Sequence, residues 1–147
     1  MNKKNSLILA LDVVSRDKAM NLTELLVDHF DAIKIGYPLI LHAGLGIVEE
    51  ISSISPVIAD LKIADTPNTN RLICEAVLGA GADAIIAQAF PGKDSLVACA
   101  DCAESFGADL FVVTEMSHPG AEQFIAPLAE RMARLALAAR ASAALAP

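Results

Sequence analysis

Asp60-Leu61-Lys62-Ile63-Ala64-Asp65 sets three charges at i, i+2 and i+5, directly after the apolar run Val57-Ile58-Ala59. Side chains on a strand alternate between faces, so Asp60 and Lys62 point the same way, about 7 Å apart along the backbone. A carboxylate and an ammonium on the inward face of a buried strand are costly to desolvate. Such a pair is either a structural ion pair at a strand end or a group kept for chemistry, since perturbed charges concentrate at active sites.

Further candidates lie at comparable places. Asp12 follows Leu9-Ala10-Leu11, and Lys34 stands among apolar neighbours in Ala32-Ile33-Lys34-Ile35. Thr114, Glu115 and Ser117 follow the apolar run that begins at Leu110. Lys34 also has a plainer reading, a surface lysine with its stem laid over apolar neighbours. His118, with no acidic partner apparent, reads as ordering a loop and not as a base. His29 and His42 read as surface residues. Gly44 and Gly46 lack the G-x-G-x-x-G pattern and a phosphate-binding lysine, so they make no nucleotide loop.

The elements that must position these groups alternate. Short aliphatic strands are expected at Leu7–Leu11, Ala32–Ile35, Val57–Leu61, Ala84–Ala87 and Leu110–Thr114, apolar on both faces as in a buried parallel sheet. Helices are expected near 15–29, 39–54, 67–80, 94–106 and 122–139. Ser15 with Asp17 opens the first, and Thr66-Pro67 supplies an N-cap followed by proline. Gly81 and Gly107 fall just past helix ends, where a left-handed residue is wanted. The tail from Leu128 to Pro147 is mostly Ala, Leu and Arg, and yields the fifth helix and a weak sixth strand, Ser142–Ala146.

Repeated β-α units imply a parallel sheet, either doubly wound or closed as a barrel. Polar groups that follow the C-terminal ends of several successive strands fit the barrel, whose active site lies on that face. The first turn, Asp12-Val13-Val14-Ser15, has no glycine, unlike the first turn of a dinucleotide-binding fold. A complete (β/α)₈ barrel needs roughly 200 residues. The 147 residues therefore predict one domain, an incomplete TIM barrel with parallel strands one to five and a weak sixth.

Composition narrows the function. The chain is 54% hydrophobic with 4% aromatics and no Trp, so its core is aliphatic. Eighteen acidic against 11 basic residues give a net charge of −7, which argues against a nucleic-acid surface or a polybasic membrane patch. No stretch reaches the length of a membrane span, and Met1-Asn2-Lys3-Lys4-Asn5 begins no recognisable signal peptide. Cys99-x-x-Cys102 looks like half of a redox or metal site. With Cys74 the only other cysteine, the three read as small buried hydrophobes in a reducing cytosol.

The run Asp60-Leu61-Lys62-Ile63-Ala64-Asp65-Thr66-Pro67-Asn68-Thr69-Asn70 resembles the D-x-K-x-x-D-x-P-x-T-N signature of orotidine 5′-phosphate decarboxylases, especially the archaeal type. Leu9-Ala10-Leu11-Asp12, Ile33-Lys34-Ile35-Gly36-Tyr37-Pro38, Gly81-Ala82-Asp83-Ala84 and Thr114-Glu115-Met116-Ser117-His118-Pro119-Gly120-Ala121 follow in the family's order. The resemblance implies a (β/α)₈ barrel that dimerises and shares residues between active sites, with no metal and no organic cofactor. It implies that Asp12 and Lys34 hold the ribose and orient the charged network. Asp60 would lie near the substrate carboxylate, and Lys62 would protonate C6 after carbon dioxide leaves. Asp65 and Thr69 would be donated across the dimer, and Ser117 would read the pyrimidine.

The activity so implied is decarboxylation of orotidine 5′-monophosphate to uridine 5′-monophosphate in pyrimidine biosynthesis, by a cytoplasmic homodimer. The family grips the substrate phosphate with loops after its seventh and eighth strands, including an arginine, and the sequence contains neither strand. The resemblance therefore reads the chain as a C-terminally truncated member. Two alternatives accompany it: a magnesium-using relative that acts on 3-keto-gulonate 6-phosphate or hexulose phosphate, and a barrel fragment without activity. Thr66-Pro67 followed by Thr69-Asn70 favours the decarboxylase over those relatives, which tend to carry glycine after the last Asp.

Overall fold

The computed structural model describes residues 6–147; Met1–Asn5, where the signal-peptide reading falls, lies outside them. Six strands make one sheet in sequential order: β1 (Ile8–Ala10), β2 (Ala32–Gly36), β3 (Val57–Ile63), β4 (Ala84–Gln88), β5 (Asp109–Val113) and β6 (Ala143–Leu145). Every neighbouring pair is parallel. Each strand lies beside the next in sequence, which is the order of a barrel wall and lacks the reversal of a doubly wound sheet.

Period-two alternation sorts the strand residues by face. Ile33, Ile35, Val57, Ala59, Leu61, Ile63, Ile85, Ala87, Leu110 and Val112 belong to the larger core, packed with helix residues such as Leu39, Ile51, Cys74, Leu96 and Met132. Ala32, Ile58, Ala84, Ile86 and Val113 form a smaller apolar cluster on the opposite, concave face, joined by Phe111, Met116 and Leu145. Lys34, Asp60 and Lys62 stand in the same alternation as that second set.

The helices are α1 (Arg16–Leu26), α2 (Tyr37–Ala43), α3 (Gly46–Ser52), α4 (Pro67–Gly79), α5 (Lys93–Phe106), α6 (Ala121–Phe124) and α7 (Ala129–Ala138). Ser15 caps α1, its Oγ accepting the Lys18 N–H at 3.4 Å. Gly107 ends α5 in the left-handed region at φ +67°. Thr66 occupies the N-cap position of α4 with extended backbone, yet its hydroxyl makes no capping bond and lies 3.4 Å from Thr69 Oγ1 instead.

Several expected boundaries shift. The single helix expected over 39–54 is two, because Gly44 turns at φ +81° and donates its N–H to Ile40 O, closing α2. The helix expected over 122–139 is interrupted by a 3₁₀ turn, Ala126–Leu128, centred on Pro127, which has no N–H to continue an α-helical ladder. β1 is shorter than Leu7–Leu11, and β3 runs two residues beyond Leu61. The weak sixth strand is present and pairs Phe111, Val112 and Val113 with Ala143, Ala144 and Leu145.

At the strand starts, side chains bind strands in pairs. The residue just before each even-numbered strand accepts a backbone N–H at the start of the strand before it. Asp31 Oδ2 takes Leu7 N–H at 2.9 Å, Asp83 Oδ2 takes Val57 N–H at 2.8 Å, and Ser142 Oγ takes Leu110 N–H at 3.2 Å. All three cysteines are free and buried where α4 meets α5. Hydrogen bonding with Cys99, followed by burial, drives the Cys74 thiol well above its ordinary pKa. Among the described residues no helix is long and apolar enough to cross a membrane.

Candidate functional site

The charged groups sit where β3 departs from regular geometry. Its register with β4 pairs Ala59 with Ile85 and next pairs Ile63 with Ala87, so four steps on β3 oppose two on β4. The ladder with β2 ends at Gly36 and Asp60. The surplus residues bulge the strand at its C-terminal end, a device that re-aims side chains beside functional sites. Within the bulge Lys62 has φ +44°, one of two non-glycine residues with positive φ among those described. That conformation costs an L-residue about 1–2 kcal/mol.

The result is a chain of charge. Asp60 Oδ2 accepts from Lys34 Nζ at 2.9 Å, while Lys62 Nζ donates to Oδ1 at 2.8 Å and to Oδ2 at 2.9 Å. The Asp60 side chain is 8% exposed, against 25% for Lys34 and 42% for Lys62. Burial pushes the Asp60 carboxyl upward. Hydrogen bonds from Lys62 and Lys34, together with their charges, outweigh it and hold the group below the usual carboxylate range. Both carboxylate oxygens are thereby occupied, and the Lys62 ammonium remains partly open.

These groups border a cavity of about 730 Å³ on the concave face of the sheet. Ile58, Ile86, Val113 and Leu145 wall it on the apolar side. Lys34, Asp60, Lys62, Glu115, Ser117 and His118 supply its polar edge. A cation held beside apolar walls acts more strongly than one in bulk solvent. The arrangement can stabilise negative charge developing near Lys62 and can deliver a proton from Nζ.

Of the residues expected to form a site, Lys34, Asp60, Lys62 and Ser117 come together at this cavity. Asp12 lies just beyond β1, exposed, and is not among the lining residues. Asp65 and Thr69 are also away from it. Asp65 is exposed, and its Oδ1 accepts the Thr66 N–H at 2.6 Å. His118, expected only to order its loop, lines the cavity with Glu115. The segment after β4, Gln88-Ala89-Phe90-Pro91-Gly92, is not part of the lining. Gln88 instead donates from Nε2 to Met116 Sδ at 3.5 Å, and Pro91 borders a shallow pocket with Asp65.

Two buried polar residues receive no site role from the sequence, although Asn70 closes the signature run. Asn70 is 1% exposed and Ser95 5% exposed, and both bind the Asp65 peptide. Their signal was present in part, because Asn70 interrupts the apolar stripe of α4 that continues through Cys74, Val77 and Leu78.

Comparison with known proteins agrees with the geometry. A family model described as "Orotidine 5′-phosphate decarboxylase / HUMPS family" matches residues 5–146. The orotidine 5′-phosphate decarboxylase of Methanosarcina barkeri is 54% identical over 147 residues, all of this chain and 66% of that protein. The protein of the same name from Thermococcus kodakarensis is 46% identical over 136 residues, 91% of this chain and 62% of that one. The chain thus spans about two thirds of the length of these relatives. A crystal structure of orotidine 5′-monophosphate decarboxylase from Methanocaldococcus jannaschii superposes with a TM-score of 0.94 at 44% identity, covering 97% of this chain and 70% of that chain. The same enzyme complexed with the inhibitor BMP gives a TM-score of 0.91, covering 95% and 65%.

Proposed function

The chain belongs to the orotidine 5′-phosphate decarboxylase / HUMPS family, and from that premise we propose that it takes part in converting orotidine 5′-monophosphate to uridine 5′-monophosphate. The observation that carries the reading is the Lys34–Asp60–Lys62 chain, held at the edge of an apolar-walled cavity.

The bond between C6 and the substrate carboxyl breaks, its electron pair stays on C6, and carbon dioxide leaves. The vinylic carbanion has no conjugated sink, so its stabilisation is electrostatic and must be preorganised. Lys62 provides the cation, and its Nζ–H then supplies the proton that closes C6. Asp60 keeps Lys62 charged and positioned, and lies against the substrate carboxylate, which disfavours the ground state relative to the transition state. Lys34 holds Asp60 at Oδ2, the oxygen it shares with Lys62, and, with Asp12, meets the ribose. Ser117 reads the pyrimidine edge. No step in this scheme calls on a metal or an organic cofactor.

Asp65 and Thr69 belong, in this reading, to the site of a neighbouring copy in a cytoplasmic homodimer. The exposure of Asp65 and the separation of both residues from the cavity of their own chain support that assignment. The test is direct. The purified chain is given orotidine 5′-monophosphate, and loss of substrate absorbance is followed with Lys62→Ala as the control. Turnover in the wild type that disappears in Lys62→Ala is expected. Equal rates in the two would remove Lys62 from the reaction.

A further inference from the structure

Asp65 owes its position to side chains that no functional assignment yet includes. Its backbone N–H donates to Asn70 Oδ1 at 2.9 Å, and its carbonyl accepts from Ser95 Oγ at 2.7 Å. The Asn70 amide closes the arrangement by donating from Nδ2 to the Ser95 carbonyl at 3.3 Å. Asn70 and Ser95 are 1% and 5% exposed, whereas Asp65 itself is exposed. Two helices, α4 and α5, thus each lend one buried polar group to the backbone of a single residue just past the end of β3.

This is an unusual use of buried polarity. Asn70 stands one helical turn before Cys74, and Ser95 one turn before Cys99, so the pair forms the last layer of the α4–α5 interface before the loop. An apolar pair there would pack as well and avoid desolvation, and buried amides are tolerated only when hydrogen-bonded. Here both ends of the Asn70 amide are engaged. What the layer gains is a fixed Asp65 backbone, and with it an exposed carboxylate outside the cavity that Lys62 lines.

We infer that Asn70 and Ser95 are positioning residues: they clamp the Asp65 peptide so that its carboxylate is presented outward, to the active site of a second copy. The inference rests on the proposed function for the role of Asp65, while the clamp itself rests on the three hydrogen bonds. Such pre-positioning matters because misplacing a reacting group by about 1 Å can cost roughly a hundredfold in rate.

Two measurements on the full chain test it. Amide hydrogen exchange should show Asp65 N–H protected although its residue is exposed. In Asn70→Ala its exchange should quicken at least about tenfold, while amides of β4 stay unchanged. Equal exchange in both proteins would overturn the clamp. The second measurement is a cycle of Asn70→Ala, Asp65→Ala and their double variant by kcat and KM. If Asn70 acts through Asp65, kcat/KM of the double variant equals that of Asp65→Ala alone; penalties that multiply would overturn the positioning role. Ser95→Ala, with Ser95→Thr to restore the hydroxyl, carries both measurements should Asn70→Ala fail to fold. A wild-type chain without turnover would sink the decarboxylase reading alone, and the exchange result would still decide the clamp.

Discussion

Lys62 meets Asp60 at 2.8 Å from a left-handed backbone, at φ +44°. A regular strand would also set the two side chains on one face. The bulge between Ala59 and Ile63 changes the direction from which Lys62 arrives, while Leu61 and Ile63 stay buried in the helix-facing core. Burial of its two neighbours holds the strained residue in place, and backbone strain retained in this way is characteristic of functional sites.

That strain predicts an inverted preference at position 62. Lys62→Ala and Lys62→Gly both remove the ammonium, so their difference isolates the backbone. Glycine in a strand interior is ordinarily about 0.5–1 kcal/mol less stable than alanine. Here Lys62→Gly should be the more stable of the two, by about 1 kcal/mol, because only alanine retains the left-handed penalty. Urea unfolding of the two variants decides it, and the usual order would show that no strain resides there.

The second prediction concerns acid. Asp60 titrates below its ordinary value of 3.8 in the folded chain. A carboxyl whose folded pKa is depressed contributes stability that is complete above its unfolded pKa and is lost as pH falls through the folded one. Unfolding free energy should therefore drop in the acid range below about pH 4. Asp60→Asn should flatten that part of the curve. At neutral pH it should cost about 2 kcal/mol, less than for a fully buried pair, since both lysine ends reach solvent. Denaturant titrations across pH, wild type against variant, measure both effects.

How much of this was legible in the sequence depends on what each residue's signal was. Lys34 was readable because a lysine among Ala32, Ile33 and Ile35 has no plain place in a buried strand, and alternation then set it on the concave face with Asp60. The bulge was not readable, because left-handed positions announce themselves through Gly or Asn and Lys62 is neither. Gly44 did carry such a signal, but it was weighed only as a phosphate loop, and so two helices were read as one. The Asn70–Ser95 pair was hidden for another reason: its members lie 25 residues apart and meet only when α4 packs on α5.

Thr23 gives a stability prediction away from the site. It is 0% exposed in α1, and its Oγ1 has no hydrogen-bond partner among the described residues. An unsatisfied buried hydroxyl costs about 1–3 kcal/mol, and valine has nearly the same shape and helix propensity. Thr23→Val should raise stability by about 1 kcal/mol, read as a higher urea midpoint with an unchanged slope. A loss of stability would mean that the hydroxyl is satisfied after all.

Asp83 tests the strand-start pairing. Its carboxylate accepts the Val57 N–H at 2.8 Å, while its own N–H donates to Val57 O at 2.9 Å. Asp83→Ala strands the Val57 amide and should cost about 1–2 kcal/mol. Asp83→Asn keeps an acceptor at the same place and should recover most of that loss. If the two variants were equally destabilised, charge and not the hydrogen bond would be the operative feature.

Metal dependence separates the two branches that the family name covers. A magnesium ion needs carboxylate oxygens free to face it and binds poorly beside other cations. Both oxygens of Asp60 already accept from ammonium groups, Oδ1 from Lys62 and Oδ2 from Lys34 and Lys62. A dication at Asp60 would have to displace those bonds and stand against two positive charges. Turnover of orotidine 5′-monophosphate should therefore be unchanged after chelation with EDTA and dialysis, and unchanged again when magnesium is restored. A rate that vanished with the chelator and returned with magnesium would overturn the metal-free scheme and move the chain to the magnesium-using side, with Asp60 freed from Lys34 to serve as a ligand.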